Sequence, residues 1–407
     1  MVVLLGEIAL LAVVVAACGA VALAARRVGR ALLLAATGAG VVANGALAVL
    51  LVRGDWSVTY VVDHSRSDTS VLLRLAGLWA GAEGSFLLWT TLTCAAAVVA
   101  AHLARAPARP AAVRVGGVLA AVGGLVALTV LDPFDRLEIP AVTGAGMQPI
   151  LEHPAMLWHP PLLYGGMLGL LVPTLLAATD RVPDRHVTRR ATAVALGLLT
   201  AGLATGGRWA YAELGWGGYW GWDPVENVAL VAWALGLAAL HLPRRTPMVA
   251  QRLALGLPAV AVVWGTVLTR TYSVTSVHAF SSDPSINRAI LALGVVSTVV
   301  PLVAAFRAGV PTAADPAADG ADDTSRTAGP DSGLAAGRAR FRWVSVALAG
   351  FVAVVVTAGT VAPMVREAAG GDESLVAGSY YAGLVGPAAL AAGLVLAWFG
   401  RRWWLAG

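Results

Sequence analysis

Apolar runs of about twenty residues, broken by arginines and turn residues, recur along the whole chain. They fall at roughly 2–24, 31–52, 79–103, 115–131, 156–178, 191–207, 224–242, 253–270, 286–306, 343–363 and 379–399. Each is close to the ~20 residues that cross a bilayer as helix, and in hydrocarbon a helix satisfies its own backbone. The pattern predicts an all-α protein, a polytopic transmembrane helical bundle of about eleven spans. The loops between runs are too short to bury a separate soluble core.

Charge adds orientation. Cytoplasmic loops collect basic residues, and the chain has no lysine, so arginine alone carries the signal. One set of alternate loops holds twenty of the 28 arginines and the other set eight. That asymmetry predicts the N-terminus outside and the C-terminus inside, with the protein in the plasma membrane. It also accounts for the net charge of +5 without a nucleic-acid partner. The surface partner it implies is membrane lipid.

Residues 307–342 are rich in Ala, Gly, Pro and Asp and read as a disordered cytoplasmic linker. It would separate a core at 1–306 from a C-terminal helix pair at 343–407. The two cysteines, Cys18 and Cys94, each lie inside a predicted span, so neither a disulfide framework nor a Cys-x-x-Cys motif is available. The first span lacks a basic leader and reads as a retained helix.

Four outer segments, 53–78, 132–158, 208–223 and 271–285, hold the unusual chemistry. Residues 208–223 contain four tryptophans, two tyrosines and four glycines. A belt of interfacial aromatics is the plain reading of such residues. The glycines favour another, a platform for a flat metal macrocycle, because a residue without a side chain lets ring and backbone approach. His159 and His278 flank the platform in sequence, and imidazole is an iron ligand. Arg208 and Arg270, exceptions to the inner-face bias, suit propionate carboxylates. The expected heme-binding set is therefore His159, His278, Trp216, Gly217, Gly218, Tyr219, Trp220, Trp222, Asp223, Arg208 and Arg270.

Asp223 has a local alternative as an N-cap, with Pro224 opening the helix and Glu226 completing a capping box. His64, His102 and His186 read as surface residues, and His153 as a weak candidate. His241 ends the seventh span on its inner side, ~30 Å from the outer platform. It reads equally as an interfacial residue and as a ligand for a second, buried heme.

The stretch "WGGYWGWDPVEN" resembles the WWD signature of the heme-handling membrane proteins of cytochrome c biogenesis. The motif order is similar to the CcmF type, the cytochrome c maturation heme lyase. It includes "VVDHSRSDTSVLLRLAGLWAGAEGSFLLW", "DPFDRL", "HPPLLYGGMLG" and "TSVHAFSSDPS". The resemblance implies His159 and His278 as axial ligands on the outer face and His241 as a ligand to a transmembrane b-type heme. It implies covalent attachment of heme to the CXXCH thiols of apocytochrome c, with a heme chaperone and a thiol reductant as partners. Ala82 stands where the family usually has histidine. No histidine follows His278, so a further subunit would supply the second b-heme ligand, or that heme would be absent or differently held.

Two other functions fit parts of the pattern. A heme carrier or exporter relaying heme to a separate lyase would carry the WWD signature but fewer spans. A multi-pass transporter of an unrelated substrate would show paired interrupted helices and midplane charges. Glu7 and Glu83 are the only carboxylates well inside spans.

Overall fold

The computed structural model describes residues 1–180, 183–213, 218–243, 246–270, 284–308, 332–370 and 376–404. These residues are helical apart from connecting turns and one isolated bridge, Val58 to Arg136. The chain is a polytopic helical bundle. Among the described residues ten helices are long and apolar enough to cross a membrane, by length and composition.

The elements that frame the site are α1 (Val2–Ala22), α2 (Arg27–Arg53), α3 (Thr59–His64), α4 (Val71–Ala76), α5 (Ala82–Leu103), α6 (Arg109–Val126), α7 (His159–Gly169), α8 (Leu171–Thr179), α9 (Arg185–Glu213), α10 (Pro224–His241) and α11 (Met248–Arg270). They are followed by α12 (Pro284–Ala308), α13 (Ser332–Ala368) and α14 (Gly378–Trp404).

The structure adds to three expectations. The span predicted at 191–207 lies in α9, which packs on α7 and α10 but is not among the ten sufficiently apolar helices. The span predicted at 156–178 falls within one apolar crossing, Pro154–Thr179, in which α7 and α8 are successive helices. Pro173 explains the break, since its ring would clash with the carbonyl of Gly169 and it has no N–H to donate. The last residues of the expected linker are helical. Residues 332–342 already belong to α13, built on alanine and arginine, both strong helix formers. Residues 309–331 lie outside the described residues.

Several arginines cap helices. A helix leaves its last carbonyls without intrahelical partners, and long basic side chains can reach them. Arg252 donates to Ala305 O (3.1 Å) near the end of α12 and to Asp180 O (3.0 Å) after α8. Arg185 donates to Leu242 O (2.6 Å) and Arg189 to Leu240 O, closing α10. Arg109 does the same for Ala104 O after α5 (3.0 Å). The arginine clustering thus serves helix ends as well as any topological rule.

The opposite ends of α1, α2 and α5 gather around Phe134, which is fully buried in the turn after α6. Gly6 of α1 makes room for it, because a Cβ there would collide with the Phe134 ring. Arg74 ties α4 to α2 and its loop, donating to Val52 O and Thr69 O, both at 3.0 Å. Phe134→Ala should cost about 3–5 kcal/mol through lost burial and the cavity left behind. Thermal unfolding of the detergent-solubilised protein should show a clearly lowered midpoint.

Candidate functional site

The helix α7 opens at His159, and Pro160 and Pro161 supply its first turn, where a missing N–H costs nothing. His159, Leu163 and Met167 recur at helical spacing and line one wall of a cavity of about 160 Å³. Leu203, Gly206 and Ala210 of α9 form the facing wall, and Val225, Glu226 and Ala229 of α10 close one side. Gly265 and Thr266 come from α11, while Trp79 and Trp89 come from the start of α5 and the turn before it. Trp209 and Trp220 complete the aromatic lining.

His159 is oriented from behind. Its Nδ1 lies 2.8 Å from Gly202 O. A carbonyl only accepts, so Nδ1 carries the hydrogen and the lone pair sits on Nε2. This is the tautomer in which metal-binding imidazoles are held by an outer carbonyl. The ring meets Trp209 edge-on at 5.7 Å. Gly206 is required by close approach, since a Cβ there would press on the imidazole, 2.8 Å from Nδ1.

The indole nitrogens add a second feature. Among the described residues, Nε1 of Trp89, Trp209 and Trp220 is buried without a hydrogen-bond partner, and all three residues line the cavity. A buried N–H left without an acceptor costs about 1–3 kcal/mol. By contrast, Trp79 Nε1 donates to Met156 O at 2.7 Å. The cavity thus offers aromatic faces, one oriented imidazole and three donors lacking acceptors. That donor set suits the iron, ring face and carboxylate edge of a flat apolar macrocycle, of which a cavity of about 160 Å³, the size that holds a benzene, takes in only a part.

The structure separates the predicted site residues. His159 and Trp220 line the cavity. Trp222 turns away with a left-handed backbone, φ 60, and stacks on Tyr381 of α14 at 4.7 Å. Tyr219 is exposed and stacks on Tyr211 at 4.6 Å, beside the bend at Gly218. Asp223 takes the local alternative. It accepts from Val225 N (2.9 Å), and Glu226 bonds back to Asp223 N (3.2 Å), the capping box its sequence allowed. Arg208 is exposed between two cavity-lining residues, Gly207 and Trp209. Arg270 ends α11 one turn beyond Thr266, and its side chain lies outside the described residues. Trp216, Gly217 and His278 also lie outside them.

His241 ends α10, so the 18-residue helix puts it ~27 Å from the capped end. Its Nδ1 lies 2.9 Å from Leu237 O, and its ring meets Phe341 edge-on at 5.7 Å. It belongs to a different region from His159. His102 and His186 are exposed as expected. His64 is not a surface residue. It is half-buried, stacked on Tyr60 at 4.1 Å, in a corner where a Cβ on Gly81 would meet its Cε1 at 2.6 Å. Burial pushes the Tyr60 phenol well above its usual range. It therefore stays protonated and donates to Gly77 O at 2.6 Å.

Sequence reasoning missed Trp79, Trp89, Tyr164 and Gly206. Helical spacing carries the signal for two of them. Tyr164 stands four residues after Pro160 and three before Met167, both cavity-lining positions of α7, and Gly206 falls on the α9 stripe Leu203, Gly207, Ala210. His153, treated as weak, lies at the rim, with Nε2 3.6 Å from Glu213 and its ring parallel to Trp209 at 6.0 Å.

Residues 79–264, which contain most of the cavity wall, match the family model described as Cytochrome C assembly protein. The chain is 37% identical over 255 residues to the probable cytochrome c-type biogenesis protein NrfE of Escherichia coli, covering 59% of this chain and 46% of that one. It is 36% identical over 270 residues to the cytochrome c-type biogenesis protein CcmF of the same organism, covering 62% and 42%. A solved structure described as cytochrome c heme lyase CcmF superposes with a TM-score of 0.72 at 24% identity, over 97% of this chain and 61% of that chain. The chain spans less than half the length of these curated relatives.

Gly206→Val should drive the His159 ring off Gly202 O, and histidine-selective ¹⁵N NMR should lose the signature of the bonded Nδ1–H. Gly197→Val is the control on the same helix, because a Cβ there meets nothing within 4 Å. Its spectrum should match wild type.

Proposed function

We propose that the chain, which is similar to CcmF-type cytochrome c biogenesis proteins over residues 79–264 and beyond, holds heme at the His159 cavity and presents it for attachment to apocytochrome c. The observation that carries this reading is one oriented imidazole beside three buried indole donors without acceptors, in a cavity built from family-matched residues.

Heme supplies vinyl groups, and an apocytochrome supplies the thiols. Addition of S–H across a vinyl C=C makes a thioether and places the thiol hydrogen on the neighbouring carbon, with no atom lost. What this chain contributes is position. His159, oriented by the Gly202 carbonyl at its Nδ1, would hold the iron through Nε2. Trp209 and Trp220 would offer ring surface and, with Trp89, N–H groups for acceptor oxygens. Fixing one reactant in this way removes orientational freedom from the reaction with the thiols.

His278, Arg208 and Arg270 remain in the proposal as a second ligand and as carboxylate partners. His241 is proposed to serve a separate b-type heme. In the same reading the N-terminus is outside, the membrane is the plasma membrane, and a heme chaperone, a thiol reductant and a further subunit are the partners.

The test is to load the purified protein with hemin, reduce it and add a CXXCH peptide. Thioether formation, read as the shift in the pyridine hemochrome spectrum when vinyls saturate, is the expected result. His159→Ala should slow it by at least about tenfold. Heme passing to an added heme-binding protein without any thioether on the peptide would point to a carrier instead.

A further inference from the structure

Trp222 of the aromatic loop does not line the cavity, and its backbone explains little by itself. A tryptophan at φ 60 occupies a region that favours glycine, and such a residue persists where its neighbours hold it. Those neighbours lie on the C-terminal helix pair, far along the chain.

Two routes reach the loop from α13 and α14. Along the first, Gly359 of α13 leaves a slot for the Tyr381 ring of α14. A Cβ at Gly359 would stand 2.6 Å from Tyr381 Cε1. Tyr381 is buried in that slot and stacks on Trp222 with rings 4.7 Å apart and 10° from parallel. Along the second, Thr360 accepts from Asn227 Nδ2 at 3.0 Å, and the same amide donates to Trp222 O at 3.1 Å. Both Asn227 and Thr360 are buried. The indole and the carbonyl of Trp222 are thus fixed from one adjacent pair of residues, Gly359 and Thr360.

Trp220 is two residues away, meets Trp222 edge-on at 6.0 Å and lines the cavity. Between them Gly221 N is bonded to Glu226 (3.0 Å), the residue that also caps α10. Displacing Trp222 therefore displaces a short segment whose other end carries a cavity wall.

We propose that the α13–α14 pair is the backstop of the aromatic loop, with Tyr381 a positioning residue that sets Trp222 and, through it, Trp220. The helix pair thereby fixes the shape of a cavity it does not line. The consequence for heme rests on the functional reading above, whereas the loop's dependence on Tyr381 does not.

The experiment is amide hydrogen exchange by mass spectrometry on the full chain in detergent, comparing Tyr381→Ala, Tyr381→Phe and Thr360→Val with wild type. Peptides covering 218–223 should exchange about tenfold faster in Tyr381→Ala, while peptides in α1 and α2 stay unchanged. Tyr381→Phe keeps the stacking ring but loses the hydroxyl that bonds Thr360 and Asn227, so its loop exchange should fall between wild type and Tyr381→Ala. Folded Tyr381→Ala with wild-type loop exchange would overturn the proposal, as would Tyr381→Phe exchanging as fast as Tyr381→Ala. If Tyr381→Ala does not fold, Thr360→Val decides, with faster loop exchange in support and unchanged exchange against. Hemin titration of the same samples separates the two readings. Faster loop exchange in a protein that binds no hemin even as wild type upholds the backstop and overturns the heme function.

Discussion

The site depends on how closely α7 and α9 touch. Gly166 of α7 sits where a Cβ would meet Leu199 N at 2.5 Å, and Gly202 of α9 where it would meet Leu163 N at 2.9 Å. Gly206 extends the same seam to the His159 ring. Side chains at these positions would part the helices, and only at this separation does the Gly202 carbonyl reach His159 Nδ1. Helices that pack through small residues gain van der Waals contact that lipid tails do not offer. Here the seam also fixes an imidazole tautomer, so packing and candidate chemistry share one cause.

From that seam the rest of the cavity follows in layers. The break at Pro173 ends α7 after three turns, and α8 runs on to reach α11 by another route, with Thr174 donating to Leu255 O at 2.9 Å. The capping box on α10 fixes where the aromatic loop ends, and Glu226 holds the amides of both Gly221 and Asp223. The loop is held at one end by α10 and from behind by α14. Most of the cavity wall belongs to helices that are anchored elsewhere.

Much of this was legible in the chain. Apolar runs gave the helices because a bilayer accepts few other structures, and the residues around His159 and Trp220 were readable from their types. What was not legible depends on which side of an element a residue faces. Trp220 and Trp222 have the same type, two residues apart, yet one lines the cavity and the other packs on α14. Only the left-handed turn at Trp222 separates them, and no local pattern announces it. Trp89 sits within an ordinary apolar run, and its role appears only when α5 is set against α7. His64 looked like a surface residue in a polar loop, but Gly81, seventeen residues on, opens a slot for it. The arginines pointed to topology, and several of them also cap helix ends, a role that charge counting does not show.

The most direct test of His159 as the residue that holds heme is hemin titration of His159→Gly, followed by visible absorption, with and without added imidazole. If His159 supplies the ligand, the wild-type spectrum is lost in the variant and returns when imidazole fills the space the ring has left. A His159→Gly protein that binds hemin with an unchanged spectrum, and does not respond to imidazole, would contradict that role and move the search to His241.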